Sequence, residues 1–313
     1  MTLRLTVESD AWNHHVSQTV NSLGDVLPVV KGNGYGFGRA VLMQHASRLS
    51  SDVAVGTVHE LGEVPAAMRP FVLTPLGAGV VAPPRTDAVL AIGAEHDLHV
   101  LQQLGATNPV VIKVASSMQR YGIGADQVTE LRKRAESFGH RVVAWSLHLP
   151  LIGSDEDHIN EAVAVAQQLP ADVPLHVSHI GPAVERLRER LQHRIVARTG
   201  TQLWLGDKSM LSLQADVIAV RHVASATAGY RATPVPVGSR IAMVGCGSSH
   251  GVAALDDGQS PFHFARQRLA MLEAPHMHTT MLCIELEPAP REGNWVDVQQ
   301  PLTRVYPDVI EWR

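Results

Sequence analysis

Between about residue 25 and residue 200, short apolar runs alternate with stretches whose apolar residues recur every three or four positions. The runs predict strands over Val26–Lys31, Val53–Thr57, Phe71–Pro75, Ala88–Ile92, Val110–Val114, Val142–His148, Leu175–His179 and Ile195–Arg198. The longer-period stretches predict helices over Arg39–Leu49, Glu95–Leu104, Gln127–Phe138, Ile159–Gln168 and Ala183–Gln192. Strand–helix alternation implies parallel strands joined by crossover helices, and about eight strands is the count of a (β/α)₈ TIM-like barrel. The segment from Pro75 to Ala88, rich in proline and glycine, reads as a loop. No Gly-x-Gly-x-x-Gly turn follows the first strand, which speaks against a dinucleotide-binding open sheet.

The texture changes after about residue 214. Asp216–Arg221, Arg240–Val244, Met281–Glu287 and Trp295–Val298 read as strands punctuated by proline and glycine, with a helix expected around Phe264–Leu272. The expected organisation is a barrel over residues 12–213 and a smaller, mostly-β C-terminal domain over 214–313. The start, Met1 to Asn13, is strand-like.

Composition narrows the function classes. A chain of 313 residues with net charge −4 and well-mixed charges does not suggest a nucleic-acid or anionic-membrane surface. Two cysteines, Cys246 and Cys283, give neither a disulfide framework nor a paired metal spacing. No apolar run approaches a membrane span and the start lacks an apolar signal core, so a cytoplasmic protein is expected.

The stretch Val29-Val30-Lys31-Gly32-Asn33-Gly34-Tyr35-Gly36-Phe37-Gly38 carries the most chemistry. A lysine ending an apolar strand is costly to keep there unless its amine is used. The glycines that follow let the backbone adopt positive φ and approach a ligand closely. Together they point to a Schiff-base lysine with a tyrosine hydroxyl nearby. Other polar residues also fall at predicted strand ends, where barrels carry their sites: Arg120 beyond Lys113, His148, Ser178 with His179, and Arg198 followed by Thr199-Gly200-Thr201.

The first stretch resembles the cofactor-lysine motif of the alanine racemases, fold-type III enzymes that use pyridoxal phosphate. In that family it reads roughly Val-Val-Lys-Ala-Asn-Ala-Tyr-Gly-His-Gly. Lys113 to Gly122 is similar to the family's Lys-Val-Asp-Thr-Gly-Met-x-Arg-Leu-Gly, and Ala228 to Thr233 to its Gly-Tyr-Gly-Ala-Thr. The chain looks like a divergent, actinobacterial-type homologue associated with cell-wall (peptidoglycan) synthesis. That a strand of residues 1–11 joins the second domain is implied by this resemblance rather than by the pattern. The resemblance implies a racemase that exchanges the Cα proton between two bases, Lys31 and Tyr230. It implies cofactor binding by Lys31, Tyr35, Arg120, His148, Ser178, Arg198, Gly200 and Thr201. Substrate contacts would come from Arg120 and Met277. It also implies a homodimer with shared active sites, because the family tyrosine matched by Tyr230 reaches into the other subunit's barrel. In the same match Lys113 occupies the place of a lysine that some members carbamylate.

Arg198 matches the arginine facing the cofactor's pyridine nitrogen. A permanently charged guanidinium leaves that nitrogen unprotonated, which weakens the electron sink and favours proton return over transamination. A tyrosine with an ordinary pKa near 10 needs positive charge nearby to act as a base at neutral pH.

The departures gather in the second domain. The family's Met-Asp-Gln is replaced by Met277-His278-Thr279, and Gly-Tyr-Ala-Asp-Gly by Gly247-Ser248-Ser249-His250-Gly251. In the barrel, Asp-Thr-Gly has become Ala115-Ser116-Ser117. These changes leave two rivals open. One is a fold-type III aldolase or dehydratase acting on D-amino acids, with a metal on His276 and His278, although their spacing differs from the patterns those enzymes use. The other is a protein that binds pyridoxal phosphate without turnover. The expected metal content is none.

Overall fold

The computed structural model describes residues 2–80, 85–285 and 287–313. Val81–Pro84, inside the expected Pro75–Ala88 loop, lie outside the described residues, as do Met1 and Leu286, the latter within the expected Met281–Glu287 strand. The chain forms two compact units. One comprises residues 14–32 and 39–206, the other residues 1–13, 33–38 and 207–313.

The first unit is a parallel barrel. Its strands are β2 (Val26–Pro28), β3 (Asp52–Val55), β4 (Arg69–Val72), β5 (Val89–Ile92), β6 (Val110–Val114), β7 (Val142–His148), β8 (Leu175–Ser178) and β9 (Ile195–Thr199), β1 belonging to the other unit. They run in the order β2-β9-β8-β7-β6-β5-β4-β3. A parallel bridge between Val29 and Ala54 closes the ring. Nearly every strand residue is buried, as expected where helices cover one face and the barrel fills the other. Leu27, Val29, Ala54, Phe71, Val89, Ala91, Val111, Ala144 and Val196 pack together as a filled interior.

Helices α2 (Arg39–Leu49), α3 (Glu95–Gln103), α4 (Val128–Ser137), α5 (Asp155–Ala166) and α6 (Val184–Arg190) fall where the periodicity predicts them, and α7 (Thr201–Leu205) follows β9. Helix α1 (Ser9–Leu23) replaces the second half of the expected strand-like start. Its buried residues Trp12, Val16, Thr19 and Leu23 recur at helical spacing, one per turn, but polar residues of modest helix propensity surround them and mask the stripe.

The second unit is mostly β. Strand β1 (Leu3–Val7) lies between β10 (Leu211–His222), antiparallel, and β18 (Val309–Trp312), parallel. Beyond β10 the sheet continues through β17 (Trp295–Val298), β14 (Phe262–Phe264) and β15 (Gln267–Arg268), while β13 (Arg240–Val244) pairs with both β10 and β16 (Thr280–Ile284). The two-residue strands β11 (Thr227–Ala228) and β12 (Thr233–Pro234) form a separate hairpin. Trp12, Phe37 and Trp312 make an aromatic core with ring centroids 5.2–6.0 Å apart.

The helix expected over Phe264–Leu272 is instead the β14–β15 hairpin. Its turn residues Ala265 and Arg266 both take positive φ, as the two-residue turns that match strand twist require. The residues are good helix formers, and pairing with the sheet overrides that preference.

Candidate active site

The C-terminal ends of the barrel strands bring together Lys31, Lys113, Arg120, His148, Ser178 and Arg198. Arg198 is 6 % exposed and sits at the centre. One guanidinium nitrogen donates to Ser146 Oγ at 2.6 Å, and the other meets His148 Nδ1 at 2.8 Å and donates to Ser178 Oγ. Strand register explains the convergence, since Lys113 pairs with Ser146 and His148 with Ser178 across neighbouring strands. An arginine can only donate, so His148 Nδ1 is an acceptor and the ring's proton resides on Nε2. Burial, with the Arg198 charge next, pushes the His148 pKa down to about 2 and keeps the ring neutral. Ser178 also lies 2.8 Å from His148 Nδ1.

Lys31 follows β2 at the barrel end. The preceding segment is anchored by the fully buried Trp204, whose indole N–H donates to the Val29 carbonyl at 2.8 Å. Partial enclosure, then the charges of Arg198 and Arg120, lower the Lys31 amine from its ordinary value. Lys113 is 5 % exposed and donates to the Leu73 carbonyl at 3.3 Å. Burial first, then Arg198, Arg120 and Lys31, push its pKa down to about 7. The Lys113 ammonium and the Arg120 guanidinium lie 5.7 and 5.4 Å from the centre of the Tyr121 ring. Gly122 takes φ +119, and a Cβ there would come within 2.6 Å of the Ala115 nitrogen, so the turn carrying Arg120 requires glycine. Gly200 and Thr201 begin α7, with Thr201 exposed.

Three side chains of the barrel unit are not among those the sequence singles out. Ser146 lies two residues before His148 and therefore on the same strand face, a period-two signal that could have found it. Glu60 accepts from the Gly32 N–H at 3.0 Å and the Gly56 N–H at 2.6 Å, fixing the turn after Lys31 and opposing the loss of its proton. Glu161 of α5 accepts from the backbone N–H of Ser117 at 2.6 Å and from its hydroxyl at 2.7 Å, while Ser116 donates to the His148 carbonyl at 2.6 Å. The altered Ala115-Ser116-Ser117 segment is thus tied down at both serines. No local pattern marks Glu60 as a partner of Gly32 or Glu161 as a partner of Ser117, 28 and 44 positions away.

The other unit holds Tyr35, Tyr230 and Met277. Tyr35 is buried at φ 55, within a turn fixed by Asn33, whose amide donates to the carbonyls of Leu302 and Val305 at 2.7 and 2.6 Å. The motif read as one stretch is therefore divided, Lys31 and Gly32 belonging to the barrel unit and Asn33–Gly38 to the β unit. Tyr230 is 87 % and Met277 66 % exposed, and both line a cavity of about 640 Å³ with Arg231, Glu273, His276 and His278. His276 is bonded to Glu273 at 2.5 Å and His278 lies 2.9 Å from Ser249 Oγ. Among the described residues no group of three or more His, Cys, Asp or Glu is placed to hold a metal ion. No helix of the described residues is long and apolar enough to cross a membrane.

Solved structures share this architecture. The biosynthetic alanine racemase of Pseudomonas aeruginosa superposes with a TM-score of 0.72 at 20 % identity, covering 100 % of this chain and 99 % of that one. The alanine racemase of Bartonella henselae with covalently bound pyridoxal phosphate gives 0.70 at 15 %, covering 96 % and 91 %. That of E. faecalis gives 0.71 at 16 %, covering 100 % and 98 %. At such identities the likeness speaks for the fold. No curated protein matches the chain. The family model of the alanine racemase N-terminal domain matches residues 7–207, and the chain belongs to that family.

Proposed function

We propose that the protein is a pyridoxal phosphate-dependent amino-acid racemase, with alanine the first substrate to test. The observation that carries the reading is the charge pattern at the barrel mouth. Lys31, Lys113, Arg120 and Arg198 lie within electrostatic reach of one another, and burial, followed by the neighbouring positive charges, lowers both amines. Such a cluster fits an anionic, aldehyde-bearing cofactor, with an amine for the aldehyde and cations for the phosphate and phenolic oxygens.

Lys31 would bind the cofactor covalently. Arg198 would face its pyridine nitrogen, Arg120 its phenolic oxygen and His148 its ring. Tyr35, Ser178, Gly200 and Thr201 would serve the phosphate. When bound, the cofactor draws electrons from the substrate's Cα and so acidifies the Cα–H. Lys31 accepts or returns that proton on one face, and Tyr230 does so on the other. A lowered amine pKa suits Lys31 to this work, because a larger fraction is unprotonated at neutral pH. Neutral His148, held by the charged Arg198, keeps the buried centre fixed while protons move. Arg120 and the Met277 backbone orient the substrate carboxylate. The working form is a homodimer in which each Tyr230 serves the partner's barrel, and the setting is supply of a D-amino acid to cell-wall synthesis in the cytoplasm.

The test is proton NMR of the cofactor-loaded protein with L-alanine, L-serine and D-threonine in D₂O, with chiral analysis of the same samples. Cα deuteration with loss of chirality in one sample establishes the racemase and its substrate. Glycine with an aldehyde, a keto acid, or no exchange in any sample refutes it.

A further inference from the structure

Tyr230 sits at the tip of the β11–β12 hairpin, where an exposed aromatic would ordinarily sample several orientations. Here the tip is clamped. Glu273, whose side chain is 4 % exposed, accepts from the backbone N–H of Tyr230 at 2.8 Å and of Arg231 at 3.1 Å, and its carboxylate lies 3.4 Å from the Thr233 hydroxyl. Successive N–H groups converging on one carboxylate form an anion nest. Gly229, at φ +80, permits the close approach, since a Cβ there would lie 2.5 Å from the Glu273 carboxyl carbon. The same carboxylate takes the His276 Nε2–H at 2.5 Å, and the His276 ring lies against the Tyr230 ring, centroids 4.2 Å apart at 32°. One carboxylate thus fixes both the backbone from which Tyr230 projects and the ring that packs on its face.

We infer that Glu273 and His276 are positioning residues for Tyr230: Glu273 locks the hairpin tip and, through His276, holds the phenol ring in one orientation. The inference rests on the proposed role of Tyr230 in proton transfer. The bond from His276, then the two backbone N–H bonds, hold the Glu273 carboxyl down at about 2, so the clamp is ionised throughout the working pH range.

The experiment uses the cofactor-loaded full chain with Glu273→Gln, His276→Ala and Tyr230→Phe. Both clamp variants should lower kcat for racemisation about 10–100-fold, the cost of a misplaced catalytic group, with KM within about two-fold. Cα–deuterium exchange of the one enantiomer whose proton faces Lys31 should stay at the wild-type rate, because only the Tyr230 face is disturbed. General structural damage would lower both. The chain has four tyrosines, so ring-¹³C labelling gives four signals, and Tyr230→Phe assigns the one required. In both clamp variants that signal should move to the position of free tyrosine. Wild-type racemisation, an unmoved Tyr230 signal, or equal loss of racemisation and of Lys31-side exchange would each overturn the inference. If the wild-type protein racemises nothing, the racemase reading fails, and the Tyr230 signal alone decides whether the clamp exists.

Discussion

Arg198 is 6 % exposed and Tyr230 87 % exposed, yet each is held by side chains far away in sequence, Arg198 by bonds to Ser146, His148 and Ser178 and Tyr230 by a backbone bond to Glu273 and the His276 ring. Around Arg198 the rigid element is the barrel itself. Neighbouring strands in fixed register present Ser146, His148 and Ser178 to one guanidinium, and burial strengthens each bond. Around Tyr230 no such scaffold exists, and a single carboxylate organises a loop through backbone N–H groups. A strand end places a side chain through the pairing of its backbone, whereas a hairpin tip needs a side chain of its own to hold it. The contrast also bears on the departures from the family pattern. The altered Ala115-Ser116-Ser117 loop is held in this way, by two bonds from Ser117 to Glu161.

The comparison breaks first at Lys31. Lys31→Ala should abolish covalent cofactor attachment, read by mass after borohydride reduction, and reduce turnover by at least about 10⁴-fold. Retained attachment would move the chemistry away from this end of the barrel. Tyr230→Phe should cost about 10²–10⁴-fold in racemisation. Because enantiomers have equal free energy, that loss is the same in both directions. The asymmetry appears only in D₂O, where one enantiomer continues to exchange its Cα proton and the other does not. Continued exchange of both would remove Tyr230 from the mechanism.

Arg198→Met should destabilise the barrel by about 2–3 kcal/mol by leaving buried hydroxyls and an imidazole without their charged donor, seen as a lower urea midpoint. Glu273→Gln, by contrast, should leave the midpoint nearly unchanged, since its clamp acts on an exposed tip. A slope rather than a single loss is expected with pH. The Lys113 pKa is lowered to about 7 in the folded chain and returns to an ordinary 10.5 on unfolding, so between those values the unfolded chain binds more protons. Lys113 therefore makes stability rise with pH from about 7 towards 10.5, by at most about 1.4 kcal/mol per pH unit, and penalises the fold below 7. Lys113→Met should flatten that part of the stability profile; an unchanged slope would show that the amine titrates normally.

Much of the barrel was legible in the chain. Fully buried parallel strands must read as continuous apolar runs, and the helices covering them as amphipathic stretches, so both periods survive in the sequence. Helix α1 was hidden because its buried stripe is thin and set among polar residues. The β14–β15 hairpin was hidden because its turn is made by Ala265 and Arg266 rather than by residues that favour positive φ. The strand-end residues Lys31, His148, Ser178 and Arg198 could be picked out because a polar residue closing an apolar run is conspicuous. Ser146, Glu60, Glu161 and Glu273 were not, since a serine or glutamate is ordinary until its partner is known.

The sequence by itself determined the barrel, the family motif and the lysine at its first strand end, because each is written in local pattern and spacing. Only the tertiary structure decided that His148 accepts from Arg198, that the glycine-rich motif divides between two units, and that Glu273 grips the hairpin tip bearing Tyr230. Those facts depend on which distant residues meet. A hydrogen bond is set by the distance and direction between two groups, and spacing along the chain carries neither when 43 residues separate Tyr230 from Glu273.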